Sequence, residues 1–338
     1  MKKIIKRSLL YFLKFTGIYA LTRYLTRKGV RILCYHGVWL GDEGFPGDGM
    51  FMNAGTFESR LDLILKFGFP VVSLDRAIVG RSLNDLPPSS VVITIDDGWY
   101  STYSSMLPAL LRRNMPATLY CDTDHVLSGM PVPHVMARCL KYLADAGYVN
   151  STPTDETLIN EIYLDAIDLN ISLLERLEKT RELAASLSID FEYYVAGRVF
   201  DYMKPEELAE AYKAGLDIQL HTHTHSMHDF DTDLIVEEIE VNRRQLSKII
   251  GVDPEKLRHF CYPSGVCSKD VEPVFDKTKI ISATTTEQSI AFDDDNVFFL
   301  PRILDGEHFA SIEFEAELCG VMEMLRRVRR LFDPGARQ

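Results

Sequence analysis

Short apolar runs recur along the chain, and segments with helical spacing of apolar residues separate several of them. The runs have strand length and are short enough to be buried strands of a parallel sheet. Residues 57–65 instead place Phe57, Leu61, Ile64 and Leu65 on one side of a helix. Alternating strands and helices predict an α/β parallel sheet or barrel, of which we expect the barrel. The predicted strands are 30–35, 71–74, 91–95, 117–121, 216–220, 259–262, 280–284 and 297–300.

Three segments depart from this alternation. Residues 129–200 are polar, acidic and helix-favouring, which predicts a helical insertion beside the site. Residues 311–338 keep helical spacing and contain clustered arginines, which predicts a basic C-terminal helix. The barrel domain is therefore expected over 30–310, after a distinct segment at 1–29.

The segment 1–29 is basic and amphipathic. Nine of the 37 Lys and Arg residues lie in the first 31 positions, which contain no acid. The apolar run is too short and too charged for an export signal or a spanning helix. Two hypotheses stay open: residues 1–28 contact a membrane surface peripherally, or the helix packs on the domain's own surface. Lys3, Arg7 and Lys14 share one side of the helix, and the opposite side holds Ile5, Leu9, Phe12, Phe15 and Tyr19.

Composition narrows the class of protein. The 338 residues are 46% hydrophobic and 25% charged, which is typical of a globular chain. The net charge of −12 argues against nucleic acid as a partner, because phosphate binding needs a basic surface. The six cysteines are scattered without a Cys-x-x-Cys pair, which indicates buried thiols and a reducing compartment. We therefore expect a cytoplasmic protein, with a peripheral position at the inner face of the membrane under the first hypothesis.

Two clusters of polar residues are typical of a metal-binding or catalytic site. Asp96 and Asp97 follow the apolar strand 91–95, where two carboxylates need a positive partner such as a metal, although an ordinary turn is the alternative. Four of the nine histidines lie within residues 221–228. Imidazole is a common zinc ligand, so a metal site is expected rather than a solvated loop. An extended segment would align His221, His223 and His225, whereas a helix would pair His221 with His225 only.

The motifs together resemble those of the polysaccharide deacetylases, carbohydrate esterases of the NodB-homology type. Residues 94–98 (TIDDG) are similar to the family's Thr-Phe-Asp-Asp-Gly, and residues 217–225 (DIQLHTHTH) to its Glu-Ile-Gly-x-His-(Ser/Thr)-x-x-His. Residues 261–265 (CYPSG) resemble its Arg-x-Pro-x-Gly, with Cys261 in place of Arg. Residues 33–38 (LCYHGV) look like the Tyr-His-x-Val start of the poly-N-acetylglucosamine deacetylase subgroup. The resemblance implies a distorted (β/α)7 barrel and favours the helical pairing of the histidines.

The resemblance also implies roles. Asp97, His221 and His225 would bind a divalent metal, most simply zinc, with cobalt or nickel as alternatives. Asp96 would be the general base toward metal-activated water. The general acid would be His36, with His308 as the competing candidate.

Other residues are expected near the substrate. A backbone N–H near Tyr262, beside Pro263, could hold the developing oxyanion. Trp99 could stack on a sugar ring, with packing in the core as the alternative. Arg302 could supply the positive charge missing at Cys261, with a surface salt bridge as the alternative.

These expectations define a function and its alternatives. The resemblance implies a metal-dependent hydrolase that deacetylates an N-acetylated sugar of a glycan or of a lipid-linked glycan precursor. One alternative is a hydrolase of another non-peptide amide on the same barrel. The other is a non-catalytic glycan-binding or membrane-associated protein, which would have no need of a base at Asp96.

Overall fold

The computed structural model describes residues 2–41, 50–83, 85–148 and 156–332. The strands are β1 Arg31–Tyr35, β2 Gly37–Val38, β3 Phe51–Met52, β4 Val91–Asp97, β5 Thr118–Cys121, β6 Asp217–Leu220, β7 His259–Cys261, β8 Ser282–Gln288 and β9 Leu300–Leu304. The helices up to β6 are α1 Lys2–Phe15, α2 Ile18–Leu25, α3 Ala54–Lys66, α4 Leu74–Leu83, α5 Leu107–Leu111, α6 Asp124–Ser128, α7 Pro133–Asp145, α8 Glu156–Ile167, α9 Leu173–Ser186, α10 Phe191–Ala196 and α11 Pro205–Lys213. After β6 come α12 Thr232–Ile250, α13 Glu272–Thr278, α14 Ser311–Leu318 and α15 Val321–Phe332.

Seven parallel strands close into a barrel in the order β1-β4-β5-β6-β7-β8-β9. The strands are short and buried on both sides, because helices cover the outside and side chains fill the inside. The short strands β2 and β3 pair separately at one end. The predicted (β/α)7 barrel is confirmed.

The register of the barrel brings the carboxyl ends of its strands together. Asp96 pairs with Tyr120 and Asp97 with Cys121, while Cys121 pairs with Leu220. The residues after β4, β5 and β6 therefore emerge side by side at one end of the barrel. Because parallel strands share this edge, side chains far apart in the chain can meet there.

The insertion occupies the connection between β5 and β6. Helices α7 to α10 fall within the predicted 129–200, and their apolar faces pack into the main core. The chain then returns to the barrel, where Tyr100 N–H donates to Asp201 O and Met203 N–H donates to Gly98 O. The insertion is thus joined to the segment that follows Asp97.

Two predicted strands differ in the structure. Residues 71–74 contribute only a bridge between Val71 and Val91, and α4 already begins at Leu74 because Ser73 caps its first turn. The strand predicted at 297–300 begins at Leu300, since the preceding residues form turns.

The two termini also differ from their single predicted helices. The N-terminal segment forms α1 and α2, which separate at Gly17, and Tyr19 is buried rather than exposed with the apolar side. The C-terminal segment forms α14 and α15, which separate at Gly320. Gly320 has a φ of 75°, and a Cβ there would lie 2.3 Å from Thr26 Oγ1. Glycine therefore fits this break for both conformational and steric reasons.

Candidate active site

The two adjacent carboxylates form the centre of the site at the end of β4. Asp96 is the last residue before the chain turns, and Asp97 has a φ of 77°, in the left-handed region. Gly98 follows with a φ of 122°, and a Cβ there would lie 2.8 Å from the Cys121 sulfur. The backbone therefore turns sharply, and the two side chains enter different surroundings.

Asp96 is held by Arg302 from β9. The two guanidinium NH groups donate to Oδ1 and Oδ2 at 2.7 Å each, and the arginine side chain is fully buried. Burial raises the pKa of Asp96, but the Arg302 charge and hydrogen bonds offset it and hold the pKa below the ordinary value. The thiols of Cys34 and Cys261 each lie 3.6 Å from Oδ2. Asp96 is therefore an ionised carboxylate held in one orientation.

Asp97 instead faces two imidazoles. Its Oδ1 lies 3.5 Å from His221 Nε2 and 3.4 Å from His225 Nε2. Its Oδ2 accepts a hydrogen bond from Trp99 Nε1 at 2.9 Å. Burial raises the pKa of Asp97, but the two histidines hold it well below the ordinary value.

The histidines lie on an irregular loop rather than a helix or an extended strand. Thr222 and His225 both adopt left-handed φ values, 63° and 56°, so the loop bends back on itself. This bend brings the rings of His221 and His225 to 4.9 Å between centroids. His223 points away and contacts Thr123 Oγ1 through Nδ1 at 2.8 Å. The pairing expected from a helix is present, but the helix is absent from this part of the described chain.

Two buried polar residues of α12 hold the loop, and the sequence analysis missed both. Glu238 accepts hydrogen bonds from the backbone N–H groups of His223 and Thr224 at 2.7 Å each. Asn242, one turn later, accepts one from His221 N–H at 3.1 Å. Their signal in the sequence is two polar residues four apart, beside the buried Ile235, Ile239 and Leu246 of the same helix.

His221 is further oriented by β7. Its Nδ1 lies 2.8 Å from the carbonyl oxygen of Cys261, so it donates there and leaves the Nε2 lone pair directed at Asp97. The side chain of His221 is only 2% exposed, whereas that of His225 is 28% exposed. The open side of the site therefore lies beside His225.

Three sets of side chains could hold a cation within the described residues: Cys34, His36 and Asp96; Asp96, His221 and Cys261; and Asp97, His221 and His225, with ligand atoms in each set within 4.8 Å of one another. The first two sets share Asp96, whose oxygens already bind the Arg302 guanidinium. A second cation there would meet that charge at close range. The third set has one carboxylate and two imidazoles, which is the ligand chemistry of zinc-like ions, and it has an open side.

The two candidate acids occupy different surroundings. His36 is half-buried after β1 and shares a cluster with Asp96 and Cys34. His308 is exposed in a turn after β9 and packs on Phe309. The structure thus brings His36, and not His308, into the described cluster around Asp96.

Trp99 and Arg302, two predicted substrate contacts, are both buried away from the open side of the site. Trp99 is 1% exposed and packs against Phe51 and Tyr202, so its ring cannot stack on a sugar. Arg302 lies where its positive charge was expected, with Nη2 3.2 Å from the Cys261 sulfur, and it is not a surface salt bridge. It is no substrate contact, because its nitrogens bind Asp96, Thr94 and the Thr285 carbonyl.

Tyr262 also differs from its predicted role. Its backbone N–H donates to the Thr284 carbonyl at 3.2 Å, and its hydroxyl donates to the Phe298 carbonyl at 3.0 Å. Neither group is free for an oxyanion. Pro263 is buried beside it and has no N–H to offer.

The sequence profile described as polysaccharide deacetylase matches residues 176–280, which include the histidine loop and the 261–265 turn. This match places residues 176–280 in the polysaccharide deacetylase family. The predicted family and the predicted class of enzyme are confirmed.

Solved structures share the fold of this chain. The deacetylase PplD of Streptococcus pyogenes, in complex with acetate, is 16% identical over 86% of this chain and 98% of that one, with a TM-score of 0.57. IcaB from Ammonifex degensii is 18% identical over 86% and 97%, with a TM-score of 0.52. The BpsB deacetylase domain of Bordetella bronchiseptica is 15% identical over 82% and 96%, with a TM-score of 0.52. No curated protein sequence matches the chain.

Proposed function

We propose that the protein hydrolyses the acetamide of an N-acetylated sugar in a glycan or glycan precursor, with a divalent cation bound by Asp97, His221 and His225. The observation that carries the proposal is the convergence of these three ligands beside a second carboxylate that Arg302 keeps ionised. Several solved neighbours are deacetylases, one of them a de-N-acetylase, which supports the same chemistry. Zinc is the simplest candidate for the cation, since one carboxylate and two imidazoles suit it, as they suit cobalt and nickel.

The cation would supply positive charge that makes water more acidic and stabilises negative charge on the acetamide oxygen. Asp96 would then accept a proton from the attacking water, because it is ionised and one of its oxygens lies within 4.8 Å of an imidazole nitrogen of His221. Arg302 would keep this carboxylate oriented throughout. Water adds to the acetyl carbon, the carbon–nitrogen bond breaks, and acetate leaves.

The sugar nitrogen needs a proton as the bond breaks. His36 shares the first cluster with Asp96 and Cys34. We therefore assign the proton donor to His36. A proton taken up by Asp96 and a proton released by His36 together balance the conversion of amide and water into acetic acid and amine, and the acetic acid then ionises to acetate.

The test is acetate release from an N-acetylglucosamine oligomer by the full chain loaded in turn with zinc, cobalt or nickel. Asp96→Asn should lower kcat/KM by about 10²- to 10⁴-fold while leaving the bound cation unchanged. Asp294→Asn, at an exposed acid, is the matched control. Undiminished acetate release by Asp96→Asn would refute the assigned base. A wild-type chain that binds the oligomer but releases no acetate with any cation would favour the glycan-binding alternative.

The assignment of His36 as the proton donor is tested by comparing variants of His36 and His308. His36→Ala should lower kcat while leaving the bound cation unchanged, whereas His308→Ala should leave both kcat and the bound cation unchanged. The reverse pattern would transfer the role to His308.

A further inference from the structure

Helix α1 presents an apolar face to the outside of the molecule. Among the described side chains of α1, only Leu10 is fully buried in the core, at 2% exposed. At 100° per residue, the exposed apolar residues span about 160° of the helix. Ser8 is the only other described residue within this arc, so it contains no charge. The apolar face comprises Ile4, Ile5, Leu9, Tyr11, Phe12 and Phe15, which are 53% to 92% exposed.

Three cations of α1 pair with acids of the domain. Lys6 and Arg7 bind Glu313 of α14 at 2.9 and 3.3 Å, and Lys14 binds Glu315 at 2.6 Å. A helix packed on its own domain for hydrophobic reasons would bury its apolar side instead. Here the ion pairs fix the opposite orientation, so the outward apolar face is a property of the folded chain.

Neighbouring helices add further exposed apolar side chains. Helix α2 contacts both α1 and α15. Leu21, Tyr24 and Leu25 of α2 are 52% to 60% exposed. Leu325, Val328 and Phe332 follow a helical stripe on α15 and are 46% to 85% exposed. An apolar cluster of this size on three touching helices is characteristic of a docking surface.

The charge around these helices is positive, although the whole chain is acidic. The acids of α14 and α15 are buried and ion-paired: Glu313 and Glu315 bind α1, and Glu317 and Glu323 bind arginines of α15. Lys3, Lys28 and Arg329 are exposed and have no ion pair within the described residues. This end of the molecule therefore combines apolar surface with unpaired cations.

We infer that the apolar face of α1, extended by α2 and α15, docks on a lipid membrane that carries anionic headgroups. Aromatic and aliphatic side chains can enter the headgroup boundary while the surrounding cations meet the anionic lipid. A second copy of the chain would instead bring two cationic rims together. Among the described helices none is long and apolar enough to cross a bilayer, so α1 would lie along the surface.

The test is co-sedimentation of the full chain with vesicles of phosphatidylcholine alone or of equal parts phosphatidylcholine and phosphatidylglycerol. We expect clear preference for the anionic vesicles. Phe12→Asp combined with Phe15→Asp should lower the partition coefficient at least about ten-fold, because charges would have to enter the apolar boundary. Lys28→Glu combined with Arg329→Glu should remove the preference for phosphatidylglycerol.

Matched control variants distinguish vesicle binding through this surface from nonspecific binding. Leu164→Asp combined with Leu174→Asp alters equally exposed apolar residues of α8 and α9 and should leave vesicle binding unchanged. Acetate release from a soluble oligomer should also stay unchanged in every variant, so failure here is distinct from failure of the proposed function. The inference is overturned if wild-type chain binds neither vesicle or if the Phe12 and Phe15 substitutions do not weaken binding. It is also overturned if those substitutions instead dissociate a dimer measured by light scattering.

Discussion

Asp96 and Asp97 are neighbours in the chain but differ in what neutralises them. Asp96 meets a permanent cation, Arg302, through two short hydrogen bonds. Asp97 meets two imidazoles that can be neutral and can offer lone pairs. Because a guanidinium cannot give up its charge, the first carboxylate is unsuited to a metal and suited to accept a proton. The second carboxylate, Asp97, is suited to bind a metal together with the two imidazoles. One sharp turn thus separates two kinds of chemistry.

The strongest test of this contrast is removal of a ligand from the Asp97 side. His221→Ala or His225→Ala should lower cation affinity more than about 100-fold, since even a group that only orients a ligand costs 10- to 100-fold. His223→Ala should retain the cation, because His223 contacts Thr123 instead. Metal content after gel filtration distinguishes the variants. Equal loss in all three would mean that His223 is also a ligand.

The next largest effect is expected on the Asp96 side. Arg302→Met leaves a buried carboxylate unpaired, which should cost about 3–5 kcal/mol of unfolding free energy. The pKa of Asp96 should rise, so the acidic limb of the activity profile should move to higher pH. If Arg302→Met fails to fold, Arg302→Lys can replace it in the test. This variant keeps a positive charge, so it should retain part of the stability and shift the acidic limb less.

Arg60→Met is the matched control for Arg302. Arg60 binds Asp305 at 2.9 Å in an equally buried pair. Arg60→Met should destabilise the protein to a similar degree without moving the acidic limb of the activity profile. A shift of that limb in both variants would show that it reports on stability rather than on Asp96.

A smaller effect is expected from the residue that holds the histidine loop. Glu238→Gln should weaken cation affinity about ten-fold, because one amide oxygen replaces two carboxylate oxygens. Burial raises the pKa of Glu238, but bonds from Thr224, His228 and His223 lower it below 4.5. Its stabilisation should therefore be complete above pH 4.5 and disappear as the pH falls through the lowered value. Glu237→Gln, at the exposed neighbouring position, should change neither property; an equal effect would exclude a specific role for Glu238.

The smallest effect is expected at Trp99. Trp99→Phe removes the hydrogen bond to Asp97 Oδ2 and should weaken cation affinity several-fold, with a loss of about 1–3 kcal/mol in stability. Trp39→Phe is the control, because the buried Trp39 Nε1 has no hydrogen-bond partner within the described residues. If both substitutions weaken cation binding equally, the indole hydrogen bond does not orient Asp97.

The predictable parts of the site are those that a local pattern determines. Apolar strands followed by polar residues placed Asp96, Asp97 and His221 at one barrel end, as the register shows. The partners of these residues were harder to predict. Arg302 lies 206 residues from Asp96, and Glu238 acts from the buried side of a helix. Such pairs depend on which strands become neighbours when the barrel closes, and no local spacing records that.

The loop conformation was unpredictable for a related reason. A spacing of four residues pairs His221 with His225 on a helix, and the structure achieves the same pairing through two left-handed residues. Buried hydrogen bonds from α12 compensate for the irregular backbone there. Spacing therefore indicated which histidines meet, but not the backbone that brings them together.

The position of Arg302 late in the chain also affects the order in which the barrel folds. Strand β9 is the last strand to be made, and it closes the barrel against β1. Until it docks, Asp96 has no cation beside it, so burying that carboxylate is unfavourable. A nascent chain that ends before residue 302 should stay open and hydrated around β4. Closure of the barrel and formation of the Asp96–Arg302 pair are then expected together, and the separation of 206 residues between the two makes slow folding the expected cost.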